Sequence, residues 1–354
     1  MSRKDIRSIS LDQLSEFFLE HGEKKFRAKQ VMEWLWKFSA SSFEEMTNLS
    51  KATRELLGQQ FEFRSMELVE EQVAKDGTIK MAFKLYDGFI VEGVLIPTEK
   101  RMTACISSQV GCSLTCSFCA TGKLKRMRNL DASEIYDQVV AIKNVAENRY
   151  NAPLTNIVYM GMGEPLLNYQ NTLNSIDHIT GKNGLHMASK RITVSTAGIA
   201  KMIKQLGDDE VKFNLALSLH AANDVKRSKM MPINDSNSLD ALAESLNYFY
   251  QKTKNTITFE YIIFNEVNDS IDDAKELLKF CRRVPSKVNI IEYNPIDESE
   301  FSKADQEKTD AFAAYLEDHG VVAKVRRSRG KDIDAACGQL ANKNKAALKT
   351  EPDL

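Results

Sequence analysis

Three cysteines lie close together in this chain, and their spacing is suited to binding a metal centre. The segment is Cys112-Ser-Leu-Thr-Cys116-Ser-Phe-Cys119, a C-x₃-C-x₂-C arrangement. In a compact loop this spacing lets the three thiolates converge on one site. An ordinary iron–sulfur cluster takes four cysteine ligands, so three ligands leave one iron of a [4Fe–4S] cluster open to a small molecule. The segment therefore predicts such a cluster, bound by Cys112, Cys116 and Cys119.

A structural zinc site is the alternative for the same cysteines. Zinc in such sites usually takes four protein ligands, often from two C-x₂-C pairs. This segment contains one C-x₂-C pair and no nearby histidine, although Cys105 could supply a fourth thiolate. The number of ligands favours the iron–sulfur interpretation, and the zinc interpretation remains an alternative at this point.

Length and composition are those of a globular protein with one large core and a small accessory domain. The 354 residues are 43% hydrophobic and 27% charged, with a formal net charge of −1. No apolar run has the length of a membrane span, and the N-terminal MSRKDIRSIS lacks an apolar signal segment. We therefore expect a cytoplasmic protein without a membrane-spanning segment, and we assume a monomer. Clustered cysteines fit a reducing compartment better than a disulfide framework.

Basic residues occur in three runs that are candidates for binding phosphates. The runs are residues 24–29, 123–128 and 324–329. The overall charge does not by itself indicate a nucleic-acid binder, and such runs often form solvated faces instead.

The elements that would position the cysteines begin after a helical N-terminal part. Residues 1–61 show helical periodicity in three short segments, with Ser50 as a candidate cap of the third. Their basic edges predict an accessory domain that docks RNA, and a packing domain without a ligand is the alternative. Residues 62–98 alternate with a period of two around Asp-Gly turns and predict a β-rich connector. Glu92 lies in its last strand, where the pattern alone places it on the solvent face.

Residues 99–330 alternate between strands and helices, which predicts parallel strands with right-handed crossovers. The candidate strands are residues 103–107, 156–160, 191–195, 214–218, 256–263 and 288–292. Six such units predict an α/β fold with a partial (βα)₆ barrel, whose active site lies at the carboxyl ends of the strands. The cysteine loop follows the first strand. A tail of residues 331–354 carries Cys337, and we expect the charged residues after Asn342 to be frayed.

Small or polar residues lie at the carboxyl ends of four of these strands, where a barrel of this kind has its active site. The second strand runs into Gly163 and Glu164, and the third ends at Ser195. The fourth ends in Ser218-Leu219-His220, and Asn294 follows the sixth. A single tight turn or histidine at such a place is weak evidence, but four strand ends with the same character predict one binding site.

Several motifs together closely resemble the RlmN/Cfr family of radical S-adenosylmethionine (SAM) RNA adenine methyltransferases. The motifs are Cys105-Ile-Ser-Ser-Gln-Val-Gly-Cys112, the cluster segment, Met160-Gly-Met-Gly-Glu-Pro-Leu, Ser218-Leu-His220, Met231-Pro-Ile-Asn234 and Asp334-Ala-Ala-Cys337-Gly-Gln-Leu. The resemblance extends from about residue 20 to residue 342. Cysteines at positions 105 and 337 make it more specific than the cluster segment does, and Pro165 and the helical N-terminal domain favour the RlmN branch.

The resemblance implies a reaction with two SAM molecules per turnover. The first methylates the thiolate of Cys337, and the second binds the open iron and yields a 5′-deoxyadenosyl radical. That radical takes a hydrogen atom from the S-methyl group, and the methylene radical adds to C2 of an adenine. Cys105 then resolves the covalent RNA–protein adduct and forms a transient disulfide with Cys337. The resemblance also assigns Glu92 as the acceptor of the C2 proton, in place of the solvent-face interpretation.

The same resemblance names the partners and the cofactor contacts. Gly163, Glu164, Ser195, Ser218, Leu219, His220 and Asn294 are expected to contact SAM. The substrates are expected to be 23S rRNA and tRNA, and the electron donor a flavodoxin-type protein. The adenosine must be unstacked to reach a buried cluster, which calls for phosphate contacts elsewhere.

Two other functions remain open from the sequence. The Cfr branch shares the cysteines and methylates C8 of adenosine. A zinc-stabilised RNA-binding module without catalysis would be colourless and indifferent to SAM.

Overall fold

A small helical region forms the N-terminal part of the computed structural model, which describes residues 3–343. Its elements are β1 (Lys4–Asp5), α1 (Leu11–Glu20), α2 (Phe26–Trp36), α3 (Lys51–Gln60) and β2 (Phe61–Glu62), and the two short strands pair in parallel. The side chains of Ser10 and Ser50 accept hydrogen bonds from backbone N–H groups of α1 and α3. The prediction of Ser50 as a cap is therefore confirmed, and these two caps explain where the helices begin.

The remaining strands are those of one large sheet and one small ribbon. They are β3 (Glu67–Val73), β4 (Ile79–Lys84), β5 (Ile90–Thr98), β6 (Arg101–Cys105), β7 (Gln109–Val110), β8 (Arg128–Asn129), β9 (Asn156–Tyr159), β10 (Ile192–Thr196), β11 (Asn214–Ser218), β12 (Ile257–Ile263), β13 (Ser286–Glu292) and β14 (Ala323–Arg326).

Ten of these strands form a single sheet in the order β14-β13-β12-β11-β10-β9-β6-β5-β4-β3, while β7 and β8 pair separately. From β6 to β14 every neighbouring pair is parallel. The strands β3 to β5 continue the sheet with antiparallel pairing. The six predicted parallel strands are therefore present, and β14 adds a further one. The proposed division into a helical domain, a connector, a barrel and a tail remains a prediction.

Helices connect the parallel strands. They are α4 (Ala132–Tyr150), α5 (Tyr169–Thr180), α6 (Ala200–Asp208), α7 (Asp224–Met230), α8 (Leu239–Thr253), α9 (Ile271–Cys281) and α10 (Gln306–Asp318). A capping box of Asp131 and Glu134 starts α4. Parallel strands require such crossovers, and the helices cover the outer face of the sheet with their apolar sides.

The N-terminal region is fixed to helices α4 and α5. The Trp36 ring stacks on His178 with ring centroids 3.5 Å apart, and the Tyr136 hydroxyl donates to the Trp36 carbonyl at 2.5 Å. Arg7 forms an ion pair with Asp137 at 2.6 Å, in which the arginine side chain is almost fully buried. Stacking and buried charge pairing of this kind hold the helical region in one orientation against the barrel.

The segment after β14 connects the two edges of the sheet. The Gly330 N–H donates to Asp76 at 3.0 Å, and the Lys75 N–H donates to Asp332 at 3.1 Å. Because Lys75 and Asp76 lie in the turn between β3 and β4, residues 330–332 join the β14 edge to the opposite edge. The prediction that residues after Asn342 are frayed falls outside the described residues, apart from Lys343.

Within residues 3–343, none of the helices combines the length and apolar character needed to cross a membrane.

Candidate active site

A cavity of about 460 Å³ lies inside the curve of the sheet, on the side where the parallel strands end. Most of the predicted site residues are on its wall, and they come from separate strands and loops. They are Cys105, Cys112, Cys116, Cys119, Gly163, Glu164, Ser195, Ser218, His220 and Cys337. Residues from β6 and from β14 line this same cavity, so the sheet curves around it as a partial barrel.

The loop of three cysteines is held by backbone contacts. The Cys119 N–H donates to the Cys116 carbonyl at 3.2 Å, and both the N–H and the hydroxyl of Ser117 donate to the Met230 carbonyl. A Cβ at Gly122 would lie 2.9 Å from the Cys116 carbonyl oxygen, closer than side-chain carbons approach. Glycine is therefore needed for the loop to fold back on itself, and this fold directs all three thiols to the cavity.

The surroundings of these thiols oppose a free negative charge. Desolvation raises the pKa of Cys112 to about 11, and it also raises the pKa values of Cys116 and Cys119. Metal ligation removes the thiol proton and replaces it with a bound cation. Three soft sulfur donors in a protected cavity are therefore a suitable set for iron–sulfur binding.

A single zinc ion has a less suitable set of ligands here. In residues 3–343 no three His, Cys, Asp or Glu side chains are grouped as ligands of one metal ion. In a [4Fe–4S] cluster each thiolate binds a different iron, so the sulfur atoms need only surround a shared space. The arrangement of Cys112, Cys116 and Cys119 around one cavity fits the cluster.

Replacing a cluster cysteine is expected to abolish iron binding. Cys116→Ala should lose its iron, sulfide and brown colour after anaerobic reconstitution, because two thiolates do not retain the cluster. The matched control is Cys281→Ala, since Cys281 lies at the end of α9 and away from the cavity wall. Metal analysis and visible absorbance are the measurements. A colourless wild-type chain that binds one zinc would contradict the cluster.

The turn after β9 brings a carboxylate to the cavity. The oxygens of Glu164 accept hydrogen bonds from the N–H groups of Ala197 at 2.8 Å and Leu166 at 3.0 Å. Desolvation raises the pKa of Glu164. Gly163 has φ +95°, and a Cβ there would lie 2.5 Å from the Gln109 side chain. The glycine is required for this close approach, which keeps Glu164 in one position.

Polar side chains from β10 and β11 lie on the adjacent wall. The hydroxyls of Ser195 and Ser218 are 3.4 Å apart. His220 has φ +54°, and its Nδ1 accepts a hydrogen bond from the Ile262 N–H at 3.0 Å. Burial lowers the pKa of His220 to about 3, so its imidazole is neutral. A neutral ring with Nδ1 as acceptor carries its proton on Nε2.

Arg227 on α7 is a buried residue that the sequence did not indicate. Its guanidinium donates to the carbonyl oxygens of Leu219 at 3.1 Å, Ser218 at 3.1 Å and Ala197 at 2.5 Å, and to Asn234 at 2.8 Å. Burial lowers the pKa of Arg227 to about 10. This side chain joins the ends of β10 and β11. The sequence feature that could have indicated Arg227 is its position just before the Met231–Asn234 motif.

The other two cavity thiols, Cys105 and Cys337, come from opposite ends of the barrel sequence. Cys105 ends β6 and is buried, while Cys337 is exposed in the cavity. Desolvation raises the pKa of both thiols, and a charge on Cys337 raises that of Cys105 further. A charge on Cys119 also raises the pKa of Cys337. Cys337 is therefore near both Cys105 and the cluster loop.

Hydrogen bonds on the C-terminal side of Cys337 tie the tail to the cluster loop. The Ala120 N–H donates to the Gly338 carbonyl at 2.7 Å, and the Thr121 hydroxyl donates to the Leu340 carbonyl at 2.6 Å. These two bonds hold Cys337 at the cavity beside the cluster cysteines.

Glu92 is buried, with 1% of its surface exposed, so the solvent-face prediction is wrong. Its strand β5 is covered on both faces, and its Oε2 accepts from the N–H groups of Ala341 at 3.0 Å and Asn342 at 3.1 Å. Lys80 lies 3.9 Å from the other oxygen. Glu92 projects from the same face of β5 as Ile96, which lines the cavity. The carboxylate therefore lies under the tail, on the cavity side of the sheet.

Three predicted site residues are not on the cavity wall: Glu92, Leu219 and Asn294. Leu219 is fully buried. The Asn294 amide donates to the Ser328 hydroxyl at 2.9 Å, which joins the end of β13 to the segment after β14. The SAM contacts assigned to Leu219 and Asn294 remain predictions.

Two family models match this chain, one in the N-terminal helical region and one in the barrel. The family model of the ribosomal RNA large subunit methyltransferase N-terminal domain matches residues 4–63, and that of the radical SAM superfamily matches residues 106–281. The crystal structure of a radical SAM methyltransferase from Sphaerobacter thermophilus has a TM-score of 0.89 and 38% identity, covering 95% of this chain and 99% of that one. The radical SAM fold expected from the sequence is therefore confirmed.

Two curated relatives share nearly the whole length. A protein of Cytophaga hutchinsonii named "Probable dual-specificity RNA methyltransferase RlmN" is 62% identical over 343 residues, which are 97% of this chain and 94% of the relative. A protein of the same name from Salinibacter ruber is 44% identical, covering 98% of this chain and 96% of its own. With this identity over nearly the full length, and with the three-cysteine loop in a radical SAM barrel, the chain belongs to the RlmN family of radical SAM enzymes.

Proposed function

We propose that this chain is a dual-specificity RNA methyltransferase that methylates C2 of an adenosine in 23S rRNA and in tRNAs. Relatives that match almost its whole length are named probable dual-specificity RNA methyltransferases. The observation that carries the proposal is the position of Cys105 and Cys337, two thiols outside the cluster motif that line the same cavity as that motif.

The target carbon explains why radical chemistry is needed. Adenine C2 is electrophilic and has no acidic proton, so a polar methyl transfer from SAM has no nucleophile there. In the proposed reaction the Cys337 thiolate instead takes a methyl group from one SAM molecule by polar displacement. Cys112, Cys116 and Cys119 would hold a [4Fe–4S] cluster, which would supply the electron that cleaves a second SAM molecule.

Two cysteines and a carboxylate perform the remaining steps. The S-methyl group of Cys337 gives a hydrogen atom to the 5′-deoxyadenosyl radical, and its carbon adds to C2 to give a covalent RNA–protein adduct with one unpaired electron. Glu92 accepts the C2 proton, and the adduct passes one electron back to the redox centre that Cys112, Cys116 and Cys119 would hold. The Cys105 thiolate then attacks the Cys337 sulfur, so that the S–S bond forms as the C–S bond to the product breaks, and the released carbon takes up a proton to become the methyl group. An external reductant restores both thiols.

The cofactor contacts belong to the same proposal. Gly163, Glu164, Ser195, Ser218 and His220 are on the cavity wall and are suited to binding the polar groups of SAM. Leu219 and Asn294 are included on the family resemblance alone. The helical region matched by the ribosomal RNA methyltransferase model is proposed to dock RNA. A flavodoxin-type electron donor, a monomeric state and a cytoplasmic location complete the proposal.

Two substitutions of Glu92 separate proton transfer from anchoring of the tail. In Glu92→Gln the amide oxygen still accepts from Ala341 and Asn342, but no base remains, whereas Glu92→Ala loses both. If Glu92 accepts the proton, both variants should lose methylation by about 10²–10⁴-fold, the range for general bases. Methyladenosine formation at equal cluster content is the measurement. Near-normal activity of Glu92→Gln together with an inactive Glu92→Ala would show that Glu92 only holds the tail.

Mass spectrometry of nucleosides tests the proposed function. The anaerobically reconstituted protein is incubated with SAM, a reductant and either an unmodified 23S rRNA fragment or unmodified tRNA. We expect 2-methyladenosine in both RNAs. Formation of 8-methyladenosine would assign the chain to the Cfr reaction instead. Absence of methyladenosine from protein with a full cluster would mean that the substrate is wrong.

A further inference from the structure

The strand β14 ends in arginines that border the cavity. Arg327 and Arg329 follow this strand, line the cavity and are exposed to solvent. Arg101, at the start of β6, has both properties as well. We refer to Arg101, Arg327 and Arg329 as the rim arginines. Because they are both exposed and on the cavity wall, they lie where the cavity meets solvent.

In the basic run of residues 123–128, two side chains are already engaged with groups of the protein. Arg128 forms ion pairs with Asp87 and Glu134, and the Lys123 ammonium donates to the carbonyl oxygens of Asp297 and Glu298. In contrast, residues 3–343 contain no carboxylate within ion-pair distance of a rim arginine. The guanidinium groups of the rim arginines are therefore available to a ligand, whereas Arg128 and Lys123 are occupied.

The charged residues of the cavity wall that are exposed to solvent are all arginines. The two acidic residues on the cavity wall, Glu164 and Glu260, are both buried. Arg326 also lines the cavity and lies 3.8 Å from Glu260. Arg329 is close enough to Asp76 to lower the pKa of that carboxyl, although hydrogen bonds to Thr78 and Gly330 lower it more. The solvent-facing mouth therefore attracts anions, and planar guanidinium groups are well suited to binding phosphate.

We propose that the rim arginines bind the RNA phosphates that flank the nucleotide whose base enters the cavity. This inference rests on the proposed function. Chemistry on a base inside the cavity requires that the base leave its stack, which costs a few kcal/mol. The adjoining phosphates remain outside as the base enters, at the place where the rim arginines lie. Their contacts would offset the cost of unstacking and hold the backbone at the mouth.

The salt dependence of RNA binding tests this proposal. A fluorescent RNA hairpin that carries the target adenosine is titrated with the reconstituted protein and with its Arg327→Gln/Arg329→Gln variant between 0.1 M and 1 M salt. Loss of two single-strand phosphate contacts should reduce the slope of log K against log[salt] by about 1.4. If the two curves meet at 1 M salt, that slope makes the variant bind about 25-fold more weakly at 0.1 M.

A charge-matched variant on the outer helices is the control. Lys252 and Lys279 are exposed on α8 and α9 and are not on the cavity wall. Lys252→Gln/Lys279→Gln should keep the wild-type slope. An equal loss of slope in both variants, or an unchanged slope in the arginine variant, would overturn the proposal. So would weaker SAM binding by the arginine variant with RNA binding intact, since the arginines would then serve the cofactor.

Failure of this inference differs from failure of the proposed function. If the wild-type protein produces no methyladenosine, the proposed function is wrong, whatever the salt slope. If it methylates RNA while the arginine variant keeps the wild-type slope, only the role of the rim arginines is wrong.

Discussion

Cys337→Ala is expected to abolish methylation of both RNAs, by at least about 10⁴-fold, since loss of a covalent nucleophile has effects of this size. In the proposed reaction the transferred carbon resides on the Cys337 sulfur before it reaches the base. The thiol faces the cavity beside the cluster loop, and its tail is bound to that loop through Ala120 and Thr121. Alanine keeps this backbone in place but provides no methyl acceptor.

Two measurements distinguish loss of the methyl acceptor from loss of the cluster or of the folded protein. Iron content and visible absorbance should equal those of the wild type, because Cys337 is not a proposed cluster ligand. The intact protein incubated with SAM should gain the mass of one methyl group in the wild type and none in the variant. Cys281→Ala is the control and should remain fully active. Methyladenosine formation by Cys337→Ala would refute the S-methylcysteine route.

Cys105→Ala is expected to stop the reaction after the adduct has formed. The Cys337 carbon can still add to C2, but no thiolate remains to attack the Cys337 sulfur and release the product. Cys105 is placed for that attack, since it ends β6 on the wall of the cavity that Cys337 also lines. The variant should therefore accumulate RNA covalently bound to protein, with turnover reduced to one event at most.

Denaturing gel electrophoresis and mass spectrometry of the nuclease-digested adduct are the measurements. The expected peptide carries the nucleotide on Cys337. The double variant Cys105→Ala/Cys337→Ala is the matched control, because it lacks the attachment site and should show no adduct. Normal multiple turnover by Cys105→Ala, without a covalent species, would show that another group resolves the adduct.

Glu92 shows why sequence periodicity can misplace a residue. A period of two predicts which residues share a face of a strand, but not whether the other face is exposed. Here β5 lies inside a ten-stranded sheet, and the C-terminal tail covers Glu92. The hydrogen bonds of its carboxylate reach residues 249 and 250 positions away in the chain. No local pattern around residue 92 contains that information.

The rim arginines and Arg227 are further residues whose surroundings cannot be predicted from local sequence patterns. In the sequence, residues 324–329 are one of three basic runs, and nothing local separates them. Their position at the cavity depends on β14 pairing in parallel with β13 at the edge of the sheet. Arg227 joins two strand ends that meet only after the barrel has formed.

The sequence by itself determined the cysteine spacing, the alternation of strands and helices, and the motifs that place the chain in its family. These features are local, because ligand spacing and hydrophobic periodicity are properties of short segments. The tertiary structure decided which residues share the cavity, that Glu92 is buried, and which arginines remain available at its mouth. These features depend on contacts between residues far apart in the chain, and such contacts exist only once the sheet has curved and the tail has joined its two edges.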